Sequence, residues 1–400
     1  MKILIVHNDY GKYSGEEAVV DRMIADGRNS GFEIETLRRT SKFSRENLIG
    51  KIHGFFSGIY SWSGRRMMRE ALRTFRPDIV HIHNLYPFIS PSVLFLCKKQ
   101  GFPVVMTVHN YRLICPTGLF LRDGKPCEEC LLNGNERNCI RHNCENNHFR
   151  SLGYALRNMV ARRTRAYHDC VNYFCCITEF QKTKLIEAGF DRNKIWIFPN
   201  YVEYIEPEKI SDKLPECGLE FIGYVGRLSE EKGYDLLIEV AKRHPEIQFR
   251  FAGTLRDDKQ LKIPSNVKLC GLLTQERLAR FYANSRFIVI PSRCYEGFPV
   301  VLLEAASHKK ACIAPNHGAF PDLMLEREYG LIGGKLFTPT DVDDLERNII
   351  ELWNDRELTD YLGSIAETNY RKRFLKHNIN IAWDKFLRQV AANHKANHPV

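Results

Sequence analysis

Residues 221–243 read Phe-Ile-Gly-Tyr-Val-Gly-Arg-Leu-Ser-Glu-Glu-Lys-Gly-Tyr-Asp-Leu-Leu-Ile-Glu-Val-Ala-Lys-Arg. A short apolar strand, Phe221–Val225, runs into a basic loop, and a helix is expected over Gly233–Lys242. Strands this short and this apolar are buried on both faces, as a doubly wound parallel sheet requires. The alternation of strand and helix continues through Phe249–Phe251, Val267–Leu269, Phe287–Ile290 and Ala311–Ala314. An earlier series runs from Ile3–Val6 through a helix opening near Gly15, then Asp78–Ile82, Val104–Val108 and Tyr173–Ile177. Between the two lies Tyr201–Gly218, rich in Glu and interrupted by Pro207 and Pro215, the natural linker.

A chain of 400 residues suits two domains, and 44% apolar with 26% charged residues is ordinary for a folded globular protein. The expected organisation is an α/β protein with a first domain over 1–205, a second over 206–375, and a helix and tail over 376–400. Asp341–Ala392 reads as helices only. Two such sheets bind ligands at the carboxyl ends of their strands. The four apolar residues Ile3–Val6 are too few for a signal peptide, and no run reaches the eighteen or so needed to span a membrane, so the expected location is cytoplasmic.

The loop at 226–233 carries Arg227 and Lys232 just ahead of a helix N-terminus, a combination that grips a diphosphate through charge and free amides. A second constellation, Tyr295-Glu296-Gly297-Phe298-Pro299-Val300-Val-Leu-Leu-Glu304, follows strand Phe287–Ile290 and sets two carboxylates eight residues apart. Gly297 allows close backbone approach, Glu304 is expected about two turns into the next helix, and carboxylates suit sugar hydroxyls. The G-x-G-x-x-G dinucleotide fingerprint and the Walker lysine motif are both absent, which disfavours a dehydrogenase or P-loop enzyme.

These motifs, with Gly15-Glu16-Glu17, Pro77-Asp-Ile-Val-His-Ile-His-Asn84, Thr107-Val-His109-Asn110 and Phe198-Pro-Asn200, resemble the family 4 glycosyltransferases of GT-B fold, two Rossmann-like domains facing across a cleft. The resemblance spans nearly the whole chain. It implies a retaining hexosyltransferase that needs no metal cofactor for catalysis and takes a UDP- or GDP-sugar as donor. The acceptor would be a glycan or lipid-linked sugar in cell-surface polysaccharide synthesis. By resemblance the first domain takes the acceptor, the second the donor, and the C-terminal helix packs back on the first domain. Arg227 and Lys232 would hold the diphosphate, Glu304 the ribose, and Glu296 with Gly297, Phe298 and Pro299 the donor sugar. Gly15 would lie at the phosphate, His109 beside the transferred sugar, and Thr178 near the nucleotide. The catalytic set is then His109, Arg227, Lys232 and Glu296. Two departures stand out: Tyr13-Ser14-Gly15 is one glycine short of the usual pair, and His317-Gly318-Ala-Phe-Pro-Asp322 stands where many members carry a Glu.

Charge is unevenly spread. Residues 1–200 hold 30 Lys and Arg against 19 Asp and Glu, whereas residues 201–400 hold 28 against 29, so the whole excess of +10 lies in the first half. A basic half points to a polyanionic partner. In 55–76, Phe55, Phe56, Tyr60 and Trp62 mix with Arg65, Arg66, Arg69, Arg73 and Arg76, which suits either an ordinary amphipathic helix or peripheral contact with an anionic membrane surface.

Of the thirteen cysteines, Cys115, Cys127, Cys130, Cys139 and Cys144 cluster. Cys127-x2-Cys130 has zinc-ligand spacing, and Cys115, Cys127, Cys130 and Cys144 are the expected structural zinc ligands in an insert over 115–144, Cys144 being favoured over Cys139 by the resemblance. Asp341-Val-Asp343 could be taken for a divalent-ion motif, but it reads as a helix cap. His81 and His83 share a strand face without a third ligand. Two other functions compete: a catalytically silent sugar-nucleotide-binding scaffold, and a basic nucleic-acid-binding protein with a zinc module. The cysteine spacing matches no DNA finger, so no nucleic acid is expected as partner.

Overall fold

The structure is a computed structural model describing residues 1–10, 14–42, 48–204, 220–255, 262–324 and 333–397. The expected linker falls largely outside them. The chain forms two compact units. The first comprises Met1–Leu119, Glu128–Pro199 and Ile379–Val400, and the second Phe120–Cys127 and Asn200–Asn378.

In chain order the first strands are β1 (Lys2–Asp9), β2 (Glu33–Thr40), β3 (Ile79–Asn84) and β4 (Val104–Val108). The short antiparallel pair β5 (Leu121–Arg122) and β6 (Lys125–Pro126) belongs to the second unit, and β7 (Tyr173–Cys176) and β8 (Ile195–Ile197) complete the first. The first unit's sheet is wholly parallel, in the order β2-β1-β3-β4-β7-β8. Every residue of β3 and β4 is buried, as strands covered on both faces must be. β2 escapes the sequence reading because, as an edge strand, it buries only Ile34 and Leu37 among charged neighbours. One face of this sheet packs on Val20 and Ile24 of the helix Gly15–Asn29. Phe386, Leu387 and Val390 of the helix Lys376–Asn397 join the same core.

The second unit continues with β9 (Phe221–Val225), β10 (Phe249–Ala252), β11 (Val267–Gly271), β12 (Ser285–Val289), β13 (Cys312–Pro315) and β14 (Gly334–Phe337). They form a parallel sheet ordered β11-β10-β9-β12-β13-β14. Counted along the chain this is the 3-2-1-4-5-6 order of dinucleotide-type folds, with its switch point between β9 and β12, where such sheets bind ligands. Both quoted constellations leave the carboxyl ends of those two strands.

The loop after β9 tightens into a 3-10 turn, Glu230–Lys232, before the helix Tyr234–Arg243. Gly233 makes this junction at φ +67°, where a Cβ would stand 1.8 Å from the Pro291 carbonyl oxygen, so no other residue fits without backbone movement. The helix Val300–Ser307 starts one residue after Pro299 and places Glu304 little more than one turn in, not two. Asp341 is the N-cap of the helix Val342–Asn354, accepting from the amides of Asp343 and Asp344, while Asp343 pairs with Arg243 at 2.7 Å. No helix among the described residues is long and apolar enough to cross a membrane.

Candidate active site

Beyond β9 the backbones of two loops press together: a Cβ on Gly253 would lie 1.8 Å from the Gly226 carbonyl oxygen. Arg227 follows with a half-exposed side chain whose Nη2 is 3.5 Å from Glu231 Oε1. Lys232 Nζ donates to Glu296 Oε1 at 2.6 Å, and the Ser292 hydroxyl donates to the same oxygen. Burial opposes ionisation of Glu296, but the Lys232 charge and the two hydrogen bonds outweigh it and hold the carboxyl below its ordinary value. Burial likewise opposes the Lys232 charge, and Glu296 overcomes it, raising the ammonium pKa. Both groups are therefore ionised at neutral pH. In the same loop the buried Ser229 Oγ makes no hydrogen bond among the described residues.

Glu304 accepts the Tyr282 hydroxyl at 2.6 Å through Oε2. Burial, and then the Glu304 charge, push the Tyr282 pKa well up, so the phenol stays a donor and fixes the carboxylate's orientation. Pro299 heads the helix Val300–Ser307 without a side-chain cap. Phe298 is buried, 6.1 Å from the Phe374 ring centre. His317 donates through Nε2 to the Ser292 carbonyl at 2.9 Å, which leaves Nδ1 as a buried acceptor with no hydrogen bond among the described residues. Ser229, Tyr282, Ser292 and His317 were not anticipated. Only the departure at 317–322 signalled one of them, because single hydroxyls carry no pattern in sequence.

In the first unit, His83 Nδ1 lies 2.8 Å from His109 Nε2, and His81 Nε2 lies 2.8 Å from Thr107 Oγ1. Burial lowers the pKa of His7, His83 and His109, and takes His81 to about 3, so this cluster at the ends of β1, β3 and β4 is neutral. Among the described residues both nitrogens of the fully buried His7 lack hydrogen bonds, with Asp9 at 3.5 Å and Glu16 at 3.9 Å. Gly15 opens the helix Gly15–Asn29, exposed, with open space where a Cβ would stand. Thr178 is the N-cap of Glu179–Glu187 and accepts from the Gln181 amide at 3.2 Å, which already accounts for its residue type.

The structure lends the expected zinc site no support. Among the described residues no group of three or more His, Cys, Asp or Glu could hold a metal ion. Cys139, left out of the expected set, hydrogen-bonds with Cys144, and that bond, burial and the nearby Cys115 and Cys130 hold its thiol protonated. The Cys115 thiol instead meets the Thr117 hydroxyl at 3.3 Å, while Cys127 sits in the other compact unit. The twelve described cysteines are free thiols.

The structure thus brings Arg227, Lys232 and Glu296 into one charged loop pair, places Glu304 against Tyr282, and joins His109 to His83. Residues 206–369 match the family described as glycosyl transferases group 1, and residues 14–204 the one described as glycosyltransferase family 4. The chain is 31% identical to a sulfoquinovosyl transferase of Arabidopsis thaliana over 77% of this chain and 56% of that protein. It is 26% identical to an uncharacterized 42.6 kDa protein in the cps region of Klebsiella pneumoniae over 77% of this chain and 78% of that one. The fold matches the Anabaena HepE protein crystallised with UDP-glucose, at TM-score 0.67 and 18% identity, covering 97% of this chain and 100% of that one.

Proposed function

The chain belongs to glycosyltransferase family 4, and on that premise we propose that it transfers a hexosyl group with retention of anomeric configuration from a UDP- or GDP-sugar to a glycan or lipid-linked acceptor in cell-surface polysaccharide synthesis. The observation that carries the donor reading is the ion pair of Lys232 with Glu296 beside Arg227, at the switch point of a 3-2-1-4-5-6 sheet. As the bond from the anomeric carbon to the diphosphate breaks, negative charge grows on the phosphates and positive charge on the sugar. Arg227 and Lys232 stabilise the former more in the transition state than in the ground state. The Glu296 carboxylate, ionised and anchored, accepts hydroxyls of the donor sugar. Glu304, held by Tyr282, accepts those of the ribose, and the free Ser229 Oγ and His317 Nδ1 take further ligand groups. Gly297, Phe298 and Pro299 supply backbone to the sugar.

The acceptor oxygen attacks from the face the diphosphate leaves, and its proton passes to a departing phosphate oxygen, so no side-chain base is required. Two cationic side chains at the phosphates also make a divalent ion unnecessary for catalysis.

A thermal-shift screen against UDP, GDP and their sugars tests the donor class. A ligand at about 100 times its dissociation constant adds about 2.7 kcal/mol, so one nucleotide series raises the melting temperature and the other does not. Failure of every nucleotide to shift it removes the proposal. Proton NMR of the product then reads the anomeric configuration.

A further inference from the structure

Six of the seventeen large apolar side chains exposed among the described residues fall in one region of the first unit: Ile52, Phe56, Tyr60, Trp62, Met67 and Phe149. Phe56 is 63% and Trp62 79% exposed, well beyond a stray surface hydrophobe. Helical spacing and ring contacts connect most of them: Ile52, Phe56 and Tyr60 follow at i, i+4 and i+8, the Tyr60 amide bonding to the Phe56 carbonyl at 3.0 Å. Phe55 stacks on Phe149 with ring centres 4.7 Å apart and meets Phe56 at 5.3 Å, and Tyr60 meets Trp62 at 4.8 Å. Ile52 and Phe56 lie one turn apart on the helix Leu48–Ile59, whose one charged residue is Lys51.

The next helix, Trp62–Phe75, buries Met68, Leu72 and Phe75 against the unit. Its opposite face, at positions i, i+4, i+7 and i+11, presents Trp62, Arg66, Arg69 and Arg73, all exposed. No carboxylate among the described residues pairs with these three arginines, and the helix carries four Arg against one Glu. An apolar, aromatic strip continuous with unpaired arginines matches a surface that is apolar below and anionic above. On such a surface the exposed phenyl rings and Ile52 would enter the headgroup boundary, Trp62 and Tyr60 would sit at it, and the arginines would meet lipid phosphates. A nucleic acid would use the cations but leave the aliphatic and phenyl groups in water.

We propose that this strip docks the protein on a bilayer containing anionic phospholipid. The proposal does not rest on the donor reading, since docking is measured without donor.

The test is flotation of the full-length protein with phosphatidylcholine vesicles, with or without about one-third phosphatidylglycerol. Partitioning onto the anionic vesicles is expected to exceed that onto neutral ones by about tenfold or more, and to fall steeply between about 0.1 and 0.5 M salt. Phe56→Ser/Trp62→Ser and Arg66→Glu/Arg69→Glu/Arg73→Glu change exposed side chains only. Each should lose about tenfold or more in partitioning while keeping the wild-type melting temperature and nucleotide affinity. Equal partitioning of both variants and wild type overturns the proposal, as does absence of wild-type binding to anionic vesicles. So does self-association through the strip without vesicle affinity, which would make a second copy the occupant.

Discussion

The Lys232 ammonium and the Glu296 carboxylate are 2.6 Å apart, each mostly buried, joining the loop after β9 to the loop after β12. Breaking such a pair strands one charge, so Lys232→Ala should lower stability of the second unit by about 1–3 kcal/mol as well as lowering turnover about 10²–10³-fold. The double variant Lys232→Met/Glu296→Leu removes both charges and should recover most of the melting temperature without recovering turnover. Recovery of both by the double variant would reduce the pair to a structural tie.

Arg227 separates the two effects more cleanly, because its side chain is 55% exposed. Arg227→Ala should leave the melting temperature unchanged and lower the rate at saturating donor about 10²–10³-fold. A variant that turns over like wild type would place the phosphate grip elsewhere.

The Tyr282 hydroxyl holds the Glu304 carboxylate, so on the proposed reading its loss reaches donor binding. Tyr282→Phe removes a hydrogen bond to a carboxylate worth about 1.5–3 kcal/mol, and should raise the donor KM about tenfold or more with a smaller effect on kcat. Steady-state kinetics read this directly, and an unchanged KM would detach Glu304 from the ribose.

Much of this arrangement was legible in sequence. The apolar strands and the two motifs after β9 and β12 placed Arg227, Lys232, Glu296 and Glu304, because buried parallel strands leave a strong pattern. β2, β8 and β14 left none: each lies at the edge of its sheet and buries only one or two residues. Asp341 was recognised as a cap from the residues around it. The cysteine set stays an expectation of the sequence: C-x2-C spacing does not say where Cys115 and Cys144 lie, and among the described residues the Cys144 amide bonds to the carbonyl of Cys139, which that set leaves out. Partners such as Ser292 and Tyr282 are set by tertiary packing and are invisible in sequence.

The buried histidines predict acid sensitivity. His7, His81, His83 and His109 take up protons in the unfolded chain near the ordinary value of 6.5, but in the folded chain only at lower pH, about 3 for His81. The unfolded state therefore binds more protons below 6.5, and stability is full above that pH and lost as pH falls towards 3. At pH 5.5 His81 alone withdraws on the order of 1 kcal/mol. Melting of the first unit should accordingly drop between pH 7.5 and 5.5, and equal melting temperatures would contradict the neutral cluster.

Initial rates should be the same with and without EDTA, because the proposal gives the phosphates to Arg227 and Lys232. Immediate loss of activity restored by magnesium or manganese would show that a divalent ion shares that task.

The most direct measurement is calorimetric titration of UDP and of GDP into wild type and Arg227→Ala. One diphosphate should bind the wild type with one site per chain, and the variant about 10–100-fold more weakly, as expected for loss of a charged phosphate contact. Binding of neither nucleotide, or equal binding by both proteins, would contradict a diphosphate grip in the loop after β9.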